Sequence, residues 1–303
     1  AIREAEAAHE EGERAAMLGL GRSGRRSAGG STRFVRCSDE WIALSLARPD
    51  DIAMLPALLD VDAATVDPAD PWRVVDRVAA GRPSRSVVER ADLLGVACTR
   101  IGHTAPHGVR HHQLGQAPPV PLADRTAVNL ASLSAGPLAA DVLARLGARV
   151  ITVESTGRPD GSRATPAFFD ALHGRTESVA LALDTHDGRR ALRELLARVD
   201  VVIEGSRPRA LAQMGIDAEP LVAAGPRIWV SITAHGRDAE HGHLVGYGDD
   251  TAAAGGCVGW VAGEPRFVAD AVADPLAGLT TALHVATLAD SGGRSLVDVS
   301  LSS

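Results

Sequence analysis

From Ala127 to Thr233 short apolar runs alternate with helical stretches, and that rhythm leaves few folds open to the chain. Ala127-Val-Asn-Leu reads as a strand, and Pro137 to Leu146 as a helix. Arg149-Val-Ile-Thr-Val-Glu154 follows as a strand without polar alternation, as expected when both faces of a sheet are covered. Ser178-Val-Ala-Leu-Ala-Leu, Asp200-Val-Val-Ile-Glu204 and Ile228-Trp-Val-Ser-Ile-Thr233 are further strands. An amphipathic helix over 187–198 and a short one over 221–225 separate them. Single helices between strands predict an α/β fold: a doubly wound, Rossmann-like, mostly parallel sheet with a smaller α+β domain.

The first hundred residues follow a different pattern. Residues 1–18 alternate charge with alanine and read as an exposed helix, and Gly19 to Ser31 reads as a loop. Thr32-Arg-Phe-Val-Arg36 and Trp41-Ile-Ala-Leu-Ser-Leu46 flank a turn at 38–40, a hairpin pattern. Helices are expected from Pro49 through Leu59, near 71–80 and near 84–95. The stretch from His103 to Pro121 is rich in Pro, Gly, His and Gln, without periodicity, and reads as a linker. The division expected is therefore 1–102 as a smaller α+β segment, 103–123 as linker, and 124–303 as the Rossmann-like domain.

Composition removes several chemistries. All 31 basic residues are Arg, so no Schiff-base lysine, pyridoxal phosphate lysine or Walker lysine exists. Asn129 is the single asparagine, which leaves few routes to a Cys-His-Asn site, and no GxSxG elbow occurs. The net charge of −7 offers no overall attraction to nucleic acid or anionic membrane. No apolar run reaches the length of a membrane span, and the first residues lack a signal-peptide core. Cys37, Cys98 and Cys257 stand far apart and read as reduced, buried thiols, so a cytoplasmic location is expected.

Two patterns suggest ligands and fail on context. Gly19-Leu-Gly21-Arg-Ser-Gly24 has the spacing of a dinucleotide fingerprint, but it leaves a helix and enters an arginine-rich loop. His103, His107, His111 and His112 cluster in the linker without a positioned carboxylate or cysteine, so no metal is expected. A third pattern is stronger. Gly136 permits a tight turn after the first strand and Pro137 suits a first helical position. That helix N-terminus then faces the C-terminal edge of the sheet, where open α/β sheets bind ligands.

Asp274 stands immediately before Pro275, at the mouth of an apolar helix whose buried face is expected to be Leu276, Leu279, Leu283 and Ala286. A carboxylate there is a helix cap or a nucleophile, and the two roles are compatible.

The chain resembles the class III coenzyme A transferases, the CaiB/BaiF or formyl-CoA transferase type. The resemblance runs in order from about Ala127 to the end. It begins with residues 130–154, Pro159-Asp-Gly-Ser-Arg163 and Gly174 to Asp184, and continues with Asp200 to Pro208 and Leu211 to Ile216. Trp229 to Gly236, Gly246-Tyr247 with Gly255-Gly256, Asp274 to Gly278, and Leu296 to Leu301 complete it. The resemblance implies an enzyme that moves coenzyme A from an acyl-CoA donor to a carboxylic acid. Asp274 would be the nucleophile, forming an anhydride and then an aspartyl thioester. Arg163, Arg175 and Arg207 match coenzyme A contacts, and Ser134, Ala135 and Gly136 line the substrate side. Tyr247 matches a family tyrosine where related acyl-CoA racemases carry a histidine. No permanently bound cofactor is implied, coenzyme A and acyl-CoA being substrates, and the family forms interlocked homodimers.

The chain also departs from the family. Ser134 replaces a glutamine near the acyl group, Gly205 replaces an asparagine, and Gly248 replaces an aspartate after the tyrosine. Residues 19–100 look like the family's C-terminal part placed in front, so the order reads as permuted or as a truncated fused copy. An acyl-CoA racemase or epimerase of the same fold, and a catalytically silent CoA-ester binding subunit, are the alternatives.

Overall fold

The computed structural model describes residues 14–105 and 108–303. His107, and residues 1–13 of the expected N-terminal helix, lie outside the described residues. In chain order the strands are β1 (Thr32–Arg36), β2 (Trp41–Ser45), β3 (Cys98–Arg100), β4 (Arg110–Gly115), β5 (Thr126–Asn129) and β6 (Arg149–Ser155). They continue with β7 (Glu177–Leu181), β8 (Val201–Glu204), β9 (Ile228–Thr233), β10 (Gly259–Val261), β11 (Glu264–Arg266) and β12 (Arg294–Ser300).

Two compact units divide the chain: residues 108–243 with 274–300, and residues 14–105 with 244–273 and 301–303. Residues 244–273 thus cluster with the front of the chain rather than with the strands on either side of them in sequence.

The first unit is a seven-stranded sheet of order β4-β12-β9-β8-β5-β6-β7. Every pairing is parallel except β4 against β12. The central strands β8 and β9 are buried along their whole length, which explains their richness in Val, Ile and Trp. Trp229, Val202, Leu192, Leu196 and Val222 form the centre of the apolar core. The mostly parallel, doubly wound α/β fold is the one the alternation implies. Strand β4 comes from the stretch read as linker: its residues are exposed or half-buried throughout and lack an apolar signal because it is an antiparallel edge.

The second unit builds on a three-stranded antiparallel sheet, β1-β2-β3, and a separate β10-β11 hairpin. The β1-β2 register pairs Thr32 with Ser45 and Arg36 with Trp41, the hairpin expected from the sequence. The helix expected over 49–59 is two short helices, Pro49–Ala53 and Leu55–Leu59, because Pro56 lacks an amide donor. Cys37 and Cys98 are buried here, whereas Cys257 is exposed, against expectation: it follows the turn at Gly255-Gly256. No helix among the described residues is long and apolar enough to cross a membrane.

Candidate functional site

The sheet order reverses between β5 and β8. The chain runs β5, β6, β7 in one direction and then returns to place β8, β9 and β12 on the other side of β5. The usual binding crevice of an open α/β sheet lies at such a reversal, outside the C-terminal ends of β5 and β8. Ser134, Ala135, Gly136 and Gly205 all lie on the loops leaving these two strands or the helix start that follows.

The loop after β5 is held tightly. The buried Asn129 side chain accepts from the Ala131 amide at 3.0 Å and donates to the Ala131 carbonyl at 3.1 Å. Two glycines close on the same alanine. A Cβ at Gly136 would lie 2.2 Å from Ala131 Cβ, and one at Gly205 would lie 2.9 Å from it. Gly205 is thus a packing requirement of this chain, and an asparagine there has no room unless Ala131 moves. Ser134 precedes the Ala135–Arg145 helix without capping it through its hydroxyl.

Asp274 lies in the first turn of the 19-residue helix Ala273–Ser291 and is half-buried, with Pro275 buried behind it. One turn further on, a Cβ at Gly278 would lie 2.6 Å from the Ala135 carbonyl oxygen. Only glycine lets the two helices approach this closely, so the Asp274–Gly278 spacing has a packing cause. The expected buried face of this helix is displaced. Leu276 and Leu283 are about half exposed and Ala286 half-buried, whereas Gly278, Ala282, Val285 and Ala289 face inward with Leu279. Small residues, rather than Leu276 and Leu283, face inward because the close approach at Gly278 fixes the helix rotation.

The three arginines differ. Arg163 makes paired hydrogen bonds to Glu154, with Nε to Oε1 at 3.0 Å, and its Cζ sits 4.1 Å over the Phe169 ring. Arg175 donates to the buried carboxylate of Asp141 at 3.0 Å, within the Ala135–Arg145 helix. Arg207, exposed on the loop after β8, makes no side-chain hydrogen bond or ion pair to any described residue. Tyr247 belongs to the second unit, where it precedes the Gly248–Ala254 helix and its amide donates to Asp250 Oδ1 at 3.0 Å.

Two groups near the crevice carried no expectation. Glu204, at the end of β8, is buried, and burial pushes its carboxyl up. Donors from Ser231 (2.6 Å), Arg237 (3.2 Å), Ser206 (2.9 Å) and Trp229 (3.4 Å) oppose that shift. Asp160 accepts from the Leu133 amide on the β5 loop. Asp160 lies in Pro159-Asp-Gly-Ser-Arg163, and its acid-Gly-Ser spacing is a usable signal, since short Asx turns bind their own backbone two residues on.

The histidines scatter. His103 pairs with Glu40 at 3.1 Å, His111 bonds Ser295 Oγ at 2.8 Å, and His112 is exposed on β4. Among the described residues no group of three His, Cys, Asp or Glu side chains is placed to hold a metal ion. Gly19 and Gly24 take left-handed backbone in turns, and no helix follows Gly24.

The model of the family described as CoA-transferase family III matches residues 122–302. Succinyl-CoA–D-citramalate CoA-transferase of Chloroflexus aurantiacus is 29% identical over 180 residues, which cover 55% of this chain and 45% of that protein. Succinate–glutarate CoA-transferase of Agrobacterium fabrum is 32% identical over 177 residues, covering 52% and 44%. The chain thus spans just under half the length of these curated relatives. A CAIB/BAIF family protein from Brucella suis superposes with a TM-score of 0.55 at 30% identity, covering 61% of this chain and 54% of that one.

Proposed function

The chain belongs to CoA-transferase family III, and from that premise we propose that it moves coenzyme A from an acyl-CoA to a carboxylic acid through Asp274. The Asp274 carboxylate attacks the thioester carbonyl, and CoA thiolate leaves as an acyl-aspartyl anhydride forms. The thiolate then attacks the Asp274 carbonyl, releasing the donor acid and leaving an aspartyl-CoA thioester. The acceptor carboxylate attacks that thioester to give a second anhydride. Returning thiolate takes the acceptor acyl group and restores Asp274. A carboxylate is a weak nucleophile, so this sequence depends on proximity and alignment more than on a strong base.

The observation that carries this reading is the packing of Gly278 on the Ala135 carbonyl. Asp274 precedes Gly278 by four residues, about 6 Å along the helix axis, and that short separation supports a role for its carboxylate near the start of the Ala135–Arg145 helix. Arg207, unengaged by described residues, suits the coenzyme A phosphates through its paired donors. Arg163 and Arg175 reach phosphate only by sharing or exchanging their carboxylate partners. The name of the Chloroflexus relative directs the choice of donor to succinyl-CoA. The interlocked homodimer belongs to the same proposal, as does the reading of residues 19–100 as the family's C-terminal part. The latter is supported by the hydrogen bonds that β2 and β3 make to Asp250 within the second unit.

The test is to incubate the chain with succinyl-CoA, trap with hydroxylamine and map the peptides by mass spectrometry. The expected result is an adduct on Asp274, lost in Asp274→Asn together with roughly a thousandfold or more of the turnover. Exchange of the α-proton without an adduct identifies a racemase instead. Tight coenzyme A binding with neither reaction identifies a silent binding subunit.

A further inference from the structure

Two stretches meet on one buried carboxylate. Both Asp160 oxygens lie 3.1 Å from the Leu133 amide nitrogen on the loop after β5. Oδ1 also accepts from the Ser162 amide and hydroxyl, each at 2.8 Å, on the Gly161–Ala164 turn. The Asp160 amide donates to Glu154 Oε1 at 2.8 Å, and Glu154 pairs with Arg163. His173 Nε2 approaches Asp160 Oδ2 at 3.7 Å, and its ring stacks on Phe169, the ring beneath Arg163.

Leu133 is the residue that needs holding. Its φ is 71°, in the left-handed region that a branched side chain takes at a cost, and its side chain is exposed, with Cδ2 lying 3.2 Å from where a Cβ at Gly161 would stand. A leucine stays there only when its surroundings fix it. The next residue is Ser134, and the Ala135–Arg145 helix begins immediately after.

We propose that Asp160 is a positioning residue for the acyl-CoA thioester: it locks the left-handed Leu133 backbone, so setting Ser134 and the helix start, and ties that loop to the turn carrying Arg163. The proposal rests on the CoA-transfer reading, which puts the acyl group beside Ser134. Asp160 itself touches no reacting atom.

The test compares Asp160→Asn, Leu133→Gly and the double variant by steady-state kinetics with succinyl-CoA and by amide hydrogen exchange. The asparagine keeps the size but sets an N–H among donors and removes the charge. In Asp160→Asn, KM for succinyl-CoA rises about tenfold while kcat stays within about threefold, and exchange at 133–136 quickens about tenfold. Glycine takes the left-handed conformation without help. Adding Leu133→Gly to Asp160→Asn therefore returns KM to within about threefold of the wild type, a rescue that general destabilisation does not give.

If Asp160→Asn does not fold, His173→Phe keeps the ring on Phe169, removes the contact to Asp160, and raises KM about threefold. A KM within about twofold of wild type in Asp160→Asn, or a double variant no better than the single one, overturns the proposal. Failure of the CoA-transfer reading looks different: the wild-type chain then gives no Asp274 adduct. In that event exchange decides alone, and unchanged protection at Leu133 in Asp160→Asn overturns the positioning role.

Discussion

Asp160 and Asp250 are both buried carboxylates at the start of a helical turn, one in each compact unit, yet their acidities move in opposite directions. Burial raises both. At Asp160 the contacts from His173, Ser162 and Leu133 outweigh burial and hold the carboxyl at about 2. At Asp250 burial wins: Ser45 and the Tyr247 amide lower it, the neighbouring Asp249 raises it, and it stands at about 7. Its Oδ2 has no hydrogen-bond partner among the described residues. Burial sets the default direction, and the number of donors decides whether it holds. The donor-rich site fixes a backbone by charge; the donor-poor site holds a proton near neutrality.

The largest effect expected from this contrast is at Asp250. A folded pKa of about 7, above the ordinary carboxylate value, means that the native state binds the extra proton, so stability falls as pH rises from about 4 to 7. Asp250→Asn removes that dependence. Relative to the wild type it gains on the order of 4 kcal/mol between pH 4 and pH 8, read from denaturant midpoints at each pH. Parallel pH profiles for the two proteins break the contrast.

Asp160 has the opposite sign. Its depressed folded pKa gives stability that is present above about 4 and lost as pH falls toward 2. Asp160→Asn therefore costs about 2 kcal/mol at neutral pH and loses that difference near pH 2, read from the same midpoints.

The smallest effect is at Arg163, whose ion pair with Glu154 is close to half exposed on the arginine side. Arg163→Met changes stability by under about 1 kcal/mol, since exposed pairs contribute little. A thermal shift larger than that seen in Asp160→Asn assigns the anchoring of the 161–164 turn to Arg163 instead.

The sheet was legible because covered parallel strands are written as mostly apolar runs without strict polar alternation, as at Val201–Glu204 and Ile228–Thr233. β4 was not, because an edge strand carrying His111 and His112 has the composition of a loop. The buried face of the Asp274 helix was misread for a related reason. Leucine spacing suggested one face, whereas the contact of Gly278 with the Ala135 carbonyl, invisible in periodicity, rotates Ala282, Val285 and Ala289 inward. The loop-forming glycines were visible as residues but not as causes: Gly136 and Gly205 are needed because both close on Ala131. Asp160 escaped notice for the opposite reason. Its partner Leu133 is distant in sequence and follows β5, while Asp160 follows the paired strand β6.

The most direct measurement follows oxygen. With both carboxylate oxygens of the acceptor acid replaced by the heavy isotope, each turnover breaks the second anhydride on the acceptor side, and the bridging oxygen stays with the enzyme. After turnover with acyl-CoA and labelled acceptor, mass spectrometry of the digested protein is expected to find heavy oxygen in the Asp274 carboxylate and in no other side-chain carboxylate. Turnover that leaves Asp274 unlabelled, or that labels another carboxylate, contradicts the assignment of Asp274 as the residue through which coenzyme A passes.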